Sequence, residues 1–206
     1  MRKLLPLLFL ICSAAAQAMD PPDVLVRNVC DDMSEVVRTD KAIQAGDTRR
    51  MIEIAEARIL KHFDFNRMTG LAVGREWRNA SAQQKGILAA EFRTLLVRSY
   101  ANALGQYKNQ TIVVKPLKLQ SSDTEALVRT EVRQPGSKPI TIDYDMARAS
   151  DGWKVFDVAV AGVSLVTNYR ETFGQEIKAG GIDGLIKTLR EKNQQAAART
   201  AQADKK

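Results

Sequence analysis

The sequence predicts an α+β domain: a curved antiparallel four-stranded sheet packed on helices. Two observations carry the prediction. Apolar residues recur at helical spacing through the first half of the chain, alternate with a period of two between residues 111 and 161, and return to helical spacing from Leu165. The alternating block is punctuated by Pro135-Gly136 and Asp151-Gly152, dipeptides that suit tight turns between antiparallel strands. No internal repeat and no interdomain linker interrupts this order, and 206 residues suffice for one such domain.

The first residues are expected to lie outside the fold. Met1-Arg2-Lys3 is a charged head, Leu4 to Ala16 is apolar apart from Pro6 and Ser13, and Ala16-Gln17-Ala18 is a small-x-small cleavage site. This is the pattern of a secretory signal peptide over residues 1–18, too short and wrongly flanked for a membrane span. Cys12 follows Ile11, where lipobox cleavage needs a small residue, so a lipid anchor is not expected. After cleavage before Met19, Cys30 is the only cysteine, and no internal disulfide can form. The mature chain keeps 29 basic against 24 acidic side chains, a net +5. Nucleic acid is an unsuitable partner for an exported protein of modest charge; an anionic lipid surface suits it better, and simple solubility accounts for the charge equally well.

Pro21-Pro22 leads into a helix with Val26, Val29, Cys30, Met33 and Val36-Val37 on one face. Gly46-Asp47-Thr48 ends it, and a second helix places Ile52, Ala55, Ile59 and Phe63 together. The stretch FDFNRMTGLAVGREW reads as one or two short helices. Ser81-Ala82-Gln83-Gln84 is a capping box opening the longest helix, to about Tyr107. Its apolar stripe is Leu88, Phe92, Leu95, Leu96, Tyr100, Ala103, Leu104 and Tyr107. The four strands are TIVVKPLKL, EALVRTEVR, PITIDYDMA and WKVFDVAVA. On the third, Ile140, Ile142, Tyr144 and Met146 point one way; Thr141, Asp143 and Asp145 point the other. At Ala161-Gly162-Val163-Ser164 the period changes again, with no charged group in that tetrapeptide and Ser164 as a candidate N-cap. Leu165 to Lys178 is helical, Gly180-Gly181 interrupts, and Ile182 to Glu191 forms a last short helix. Residues 193–206 lack aromatic and branched aliphatic side chains and read as a polar flexible tail.

The usual parts of an enzyme are missing. His62 is the sole histidine, and no Cys-x-x-Cys, His-Glu-x-x-His, Gly-x-Gly-x-x-Gly or Walker pattern occurs. His62 reads as a partly buried or surface helix residue, and Cys30 as a small apolar core residue. Asp143 and Asp145 fall on the polar face of their strand, opposite Arg129, Glu131 and Arg133, as solvated pairs would. Asp157 lies between Phe156 and Val158 and needs a hydrogen-bond partner; a structural role near the Gly162 corner is favoured over catalysis. No catalytic, metal or cofactor site is therefore expected.

The segment WKVFDVAVAGVSLVTNYRETF followed by GGIDGLIKTL resembles the signature end of the MlaC family, also known as toluene-tolerance or auxiliary transport proteins. The residues that carry it are Trp153, Asp157, Gly162, Val163-Ser164, Asn168 to Phe173, and Gly181-Ile182-Asp183-Gly184-Leu185. FDFNRMTGLAVGREWRNAS and EFRTLLVRSYANALGQY agree as well. The resemblance spans nearly the whole mature chain. It implies a periplasmic phospholipid carrier with an NTF2-like cone and extra N- and C-terminal helices. In that family, lipid moves between an outer-membrane lipoprotein complex and an inner-membrane ABC transporter with its MCE-type substrate-binding component, which maintains outer-membrane lipid asymmetry. Phospholipid is the cargo, no cofactor is implied, and residues 19–192 form the single lipid-binding domain.

Joined to the periodicity, the resemblance selects Leu96, Tyr100, Leu104, Val128, Val132, Ile142, Tyr144 and Met146 as lining of an apolar cavity between sheet and helices. Each of these positions also fits solid core. The Ala161-Gly162 corner reads either as the closed end of that cavity or as a plain strand-to-helix turn. Two other functions fit the residues: an exported hydrolase using Asp157 with His62, and a periplasmic adaptor that binds proteins only.

Overall fold

The structure, a computed structural model, describes residues 19–105 and 110–203. The expected signal peptide at 1–18, Tyr107 and the last three residues lie outside the described residues. Six α-helices are described: α1 (Pro22–Thr39), α2 (Lys41–Gln44), α3 (Thr48–Arg58), α4 (Phe65–Val73), α5 (Ala82–Gly105) and α6 (Leu165–Ala203). Short 3₁₀ turns cover Leu60–His62 and Gly74–Arg78.

Local chemistry sets the helix starts. Pro22 opens α1, where its missing N–H costs nothing. Asp40, Asp47 and Asp64 cap α2, α3 and α4 by accepting from backbone N–H groups of each first turn. The capping box of α5 is reciprocal: Gln84 N–H donates to Ser81 Oγ at 3.1 Å, and Ser81 N–H donates to Gln84 Oε1 at 2.9 Å. Phe63 does not continue a helix with Ile59 as the spacing predicts. It extends, forms a bridge to Val155, and ties the helical half to the sheet.

The sheet has five strands rather than four: β1 (Thr111–Val114), β2 (Glu125–Arg133), β3 (Ile140–Ala149), β4 (Gly152–Val160) and β5 (Val163–Ser164). They lie in sequence order, each antiparallel to the next. β1 stops short of the predicted segment, before Pro116. The extra strand comes from the corner itself. Ala161 (φ 50°) and Gly162 (φ 82°) both take left-handed backbone, the signature of a two-residue hairpin turn, so Val163 folds back against Val160. A Cβ at Gly162 would meet open space, so its glycine serves the backbone angle and not close packing.

Outside the tetrapeptide a charge does reach the corner, in the structural role expected of Asp157. Asp157 accepts from the Ser164 hydroxyl, from Val158 N–H at 2.7 Å and from Val166 N–H at 3.1 Å. Ser164 Oγ in turn accepts from Thr167 N–H at 3.0 Å. Two side chains thus satisfy the first turn of α6. α6 kinks at Gly181 (φ 68°) and then runs on to Ala203. Residues 193–203 are therefore helical, where their polarity had suggested a flexible tail. Ala, Gln and Arg are strong helix formers, and buried Asn193 donates to the Glu91 backbone oxygen (2.9 Å) and carboxylate (2.8 Å) on α5.

Three clusters hold the shell. Met68, Leu88, Phe92, Phe173, Leu185 and Leu189 join α4, α5 and α6, with Phe92 set edge-on to Phe173. Val26, Val128, Met146, Trp153, Val155 and Val158 join α1 to the inner face of the sheet. Val37, Ile43, Met51, Ile54 and Ala101 join α1, α2, α3 and α5. The long helix α5 packs principally on α3, α4 and α6. Between it and the sheet a space remains.

Candidate functional site

That space is a cavity of about 420 Å³, with an almost wholly apolar wall. Three surfaces enclose it. α1 contributes Leu25, Val26, Val29, Cys30, Met33, Ser34 and Val37; α5 contributes Leu96, Val97, Tyr100, Ala103 and Leu104. The inner face of the sheet supplies Ile112, Thr130, Val132, Ile142, Tyr144, Met146, Val155, Val158 and Val160. Ile59, Leu60, His62, Phe63, Phe65 and Leu165 also line it.

Seven of the eight residues selected from the sequence border this cavity: Leu96, Tyr100, Leu104, Val132, Ile142, Tyr144 and Met146. Val128 does not. It is fully buried against α1 in the cluster with Val26, Trp153 and Val155, on the same sheet face but beyond the cavity. Sequence reasoning missed the whole α1 wall. Its signal was present in the breadth of the apolar face, which carries Leu25, Val26, Val29, Cys30 and Met33 in two adjacent rows.

Two hydroxyls of the wall are turned back on the backbone. Thr130 Oγ1 donates to the Ile142 carbonyl at 2.8 Å, and Ser34 Oγ donates to the Cys30 carbonyl at 2.7 Å. Burial, followed by the nearby Asp31 charge, pushes the Cys30 thiol up to about 11, so it is a neutral, weakly polar group near neutral pH. Burial, helped by Lys61 and Lys154, pulls the His62 imidazole below its ordinary value, which favours its neutral form. A cavity so lined has room for hydrocarbon and few partners for a polar solute.

The charged groups lie elsewhere. Asp143, Asp145 and Asp157 share the outer face of the sheet, since Asp145 stands opposite Asp157 and Asp143 opposite Ala159. Arg129 stands opposite Asp143 as expected, while Arg133 pairs with Glu131 on its own strand. Desolvation, then the charges of Asp157, Asp143 and Glu125, raises the Asp145 carboxyl, against a lowering by Arg67. Arg67 reaches this face from α4, pairing with Glu125 at 2.5 Å and lying 3.5 Å from the Phe156 ring centre. The suggested Asp157–His62 couple is not formed: His62 borders the cavity, and the Asp157 carboxylate caps α6. Among the described residues, no group of three potential ligands is placed to hold a metal ion, and no helix is long and apolar enough to cross a membrane.

The architecture is thus that of an α+β shell around an apolar chamber. A family model described as MlaC protein matches residues 27–191, and the chain belongs to that family. It is similar to the intermembrane phospholipid transport system binding protein MlaC of Haemophilus influenzae, with 23% identity over 184 residues, covering 88% of this chain and 86% of that protein. It is also similar to the toluene tolerance protein ttg2D of Pseudomonas putida, with 30% identity over 112 residues, which are 54% of this chain and 51% of that one. A phospholipid-binding protein from Ralstonia solanacearum, solved in complex with a phospholipid, superposes with a TM-score of 0.80 at 32% identity, covering 86% of this chain and 99% of that one.

Proposed function

We propose that this protein is a periplasmic phospholipid carrier, and that the acyl region of its cargo occupies the cavity between α1, α5 and the sheet. The observation that carries the reading is that cavity: about 420 Å³ of apolar-walled space, inside a shell whose charges face outward. Similarity to a protein solved with a bound phospholipid supports it. The lipid-binding residues are Leu96, Tyr100, Leu104, Val132, Ile142, Tyr144 and Met146, joined by the α1 wall.

The energetics suit a shuttle. If roughly ten methylenes left a bilayer bare, at ~0.8 kcal/mol each the cost would be about 8 kcal/mol. A chamber with apolar walls returns most of this through burial. Because its wall is largely apolar and the Ser34 and Thr130 hydroxyls are committed to backbone carbonyls, it adds little directional binding that would hinder release. We read the shell as an NTF2-like cone working between an outer-membrane lipoprotein complex and an inner-membrane ABC transporter with an MCE-type component, in the service of outer-membrane lipid asymmetry. Residues 1–18 would direct export and be removed in the course of it.

Organic-solvent extraction of the purified protein, followed by phosphorus and mass analysis, tests the reading. Phospholipid in near-stoichiometric amount is the expected result. Protein that carries none, and takes up none from detergent-solubilised lipid, refutes it.

A further inference from the structure

Ile140 (50% exposed), Val160 (37%) and Val163 (60%) are three of the five large apolar side chains left open to solvent among the described residues, and they stand together. Val160 is opposite Val163 on β5 and opposite Ile142 on β3, so these share the inner face of the sheet. Ile140 is opposite Val132, a cavity residue, and shares that face too. Ala161 N–H donates to the Thr141 carbonyl at 2.9 Å, which sets the hairpin turn beside Ile140. Val160 also borders the chamber, so the apolar lining reaches solvent at this residue and continues outward as a strip.

The size of the chamber bears on what the strip holds. An apolar cavity of about 150 Å³ takes one benzene, roughly 25 Å³ per carbon. At that ratio the chamber's 420 Å³ takes about 17 carbons. That is one membrane acyl chain, and a phospholipid carries two. The walls oppose widening by as much again. Phe63 bridges to Val155, α1 packs on Val128 and Trp153 through Val26, and α5 is engaged with α3, α4 and α6. The strip is apolar, uncovered and continuous with the chamber. Crossing three strands, it is only about 10 Å wide at ~4.8 Å per strand step. That is too little to hold a free chain. The second chain of a lipid already seated is tethered, however, and meets the strip at high effective concentration.

Resting on the carrier reading, we infer that the chamber encloses a single acyl chain, that a lysophospholipid is therefore a complete ligand for it, and that the second chain of a diacyl phospholipid lies along Ile140, Val160 and Val163. The single-chain lipid is held by the chamber alone; the diacyl lipid is held by chamber and strip together.

The test loads the delipidated mature chain from detergent micelles that contain equal amounts of palmitoyl lysophosphatidylcholine and dipalmitoyl phosphatidylcholine, and counts each bound lipid by mass analysis. The headgroup is shared, so only the number of chains differs. The double variant Ile140→Ser, Val163→Ser changes two exposed side chains and, delipidated, should unfold at the wild-type temperature; if it does not, Ile140→Ser alone carries the same comparison. The double variant should lower the ratio of diacyl to single-chain lipid roughly tenfold, because only the diacyl lipid loses contacts. It should hold one lysophospholipid per chain. Ile142→Trp, inside the chamber, should lower both lipids together. A lipid ratio that the double variant leaves unchanged, two lysophospholipids held by that variant, or a wild type that loads the diacyl lipid and refuses the single-chain one overturns this inference alone. Loading of neither lipid by wild type overturns the carrier reading and this inference with it.

Discussion

Two tryptophans placed on one sheet face should have opposite consequences. Val128 and Ile142 both lie on the inner face, on adjacent strands, but Val128 is fully buried against α1, Trp153 and Val155, while Ile142 borders the cavity. At Val128 an indole has no space, and overpacking costs typically 1–3 kcal/mol. For a chain of this length each kcal/mol moves the unfolding midpoint by about 2–4 °C, so Val128→Trp should lower it by roughly 2–12 °C. At Ile142 the ring extends into open volume. If it displaces roughly three methylenes of a bound chain, at about 0.8 kcal/mol each, lipid affinity falls by about 2.4 kcal/mol, a factor of roughly 50. Thermal unfolding must be measured on delipidated protein, because bound lipid raises apparent stability by mass action. Bound phosphorus, measured in parallel after equilibration with limiting lipid, gives the affinity side. The reasoning is refuted if Ile142→Trp binds lipid as well as wild type, or if both variants lose delipidated stability equally.

Asp157→Ala should destabilise the fold by about 1.5–3 kcal/mol in chemical denaturation, since three donors lose a charged acceptor, and should leave lipid binding intact; a turnover activity lost with it would contradict the capping role. Asp145, whose carboxyl is raised by desolvation and by neighbouring carboxylates, destabilises the fold when ionised. A raised acid binds its proton more tightly in the folded state, so its penalty is present above the folded pKa and is relieved as pH falls through it. Asp145→Asn should therefore stabilise the protein at neutral pH, with the gain shrinking towards the acid range; a gain that grows on acidification is the contrary result. Cys30, with its thiol at about 11, should react slowly with a disulfide reagent at neutral pH and faster as pH rises towards that value. Because it borders the cavity, loading with phospholipid should slow the reaction further, and equal rates for loaded and emptied protein would show that lipid lies elsewhere.

The order of helices and strands was legible because the chain changes period sharply, and each change coincides with a turn or capping residue. What periodicity reports is which face is turned inward. It does not report what that face meets. Val128 and Met146 are both fully buried on the inner face, yet only Met146 borders open space, and no local feature of their strands separates them. The α1 wall was overlooked for a related reason: its apolar face is explained equally well by core. The fifth strand was hidden because two residues are too few for an alternating pattern, and because Ala161 takes a left-handed angle that alanine seldom adopts. Residues 193–203 were misread because polarity was allowed to outweigh the helix propensity of their Ala, Gln and Arg, and because Asn193 finds its partner 102 residues away on α5.

The strand-to-helix corner bears on why a chamber exists at all. A five-stranded sheet with an apolar inner face and a long amphipathic helix would ordinarily collapse onto one another. Here α5 is engaged on another side. Ser164 and Asp157 fix where α6 begins, at the end of β5 and on the outer side of the sheet. From that start α6 takes Phe173, Leu185 and Leu189 into the cluster with Phe92 and Leu88 of α5, while Asn193 clasps Glu91 further along. α3 holds α5 through Met51 and Ile54 near Ala101. The helix is thus held by its neighbours at a distance from the sheet, and the residues between them keep an unfilled space. Closing it would require α5 to give up the aromatic cluster with α6, so the corner stabilises the open chamber indirectly, by directing α6. On this argument Asp157 and Ser164 act on the chamber only through the stability of this packing, and neither borders the cavity.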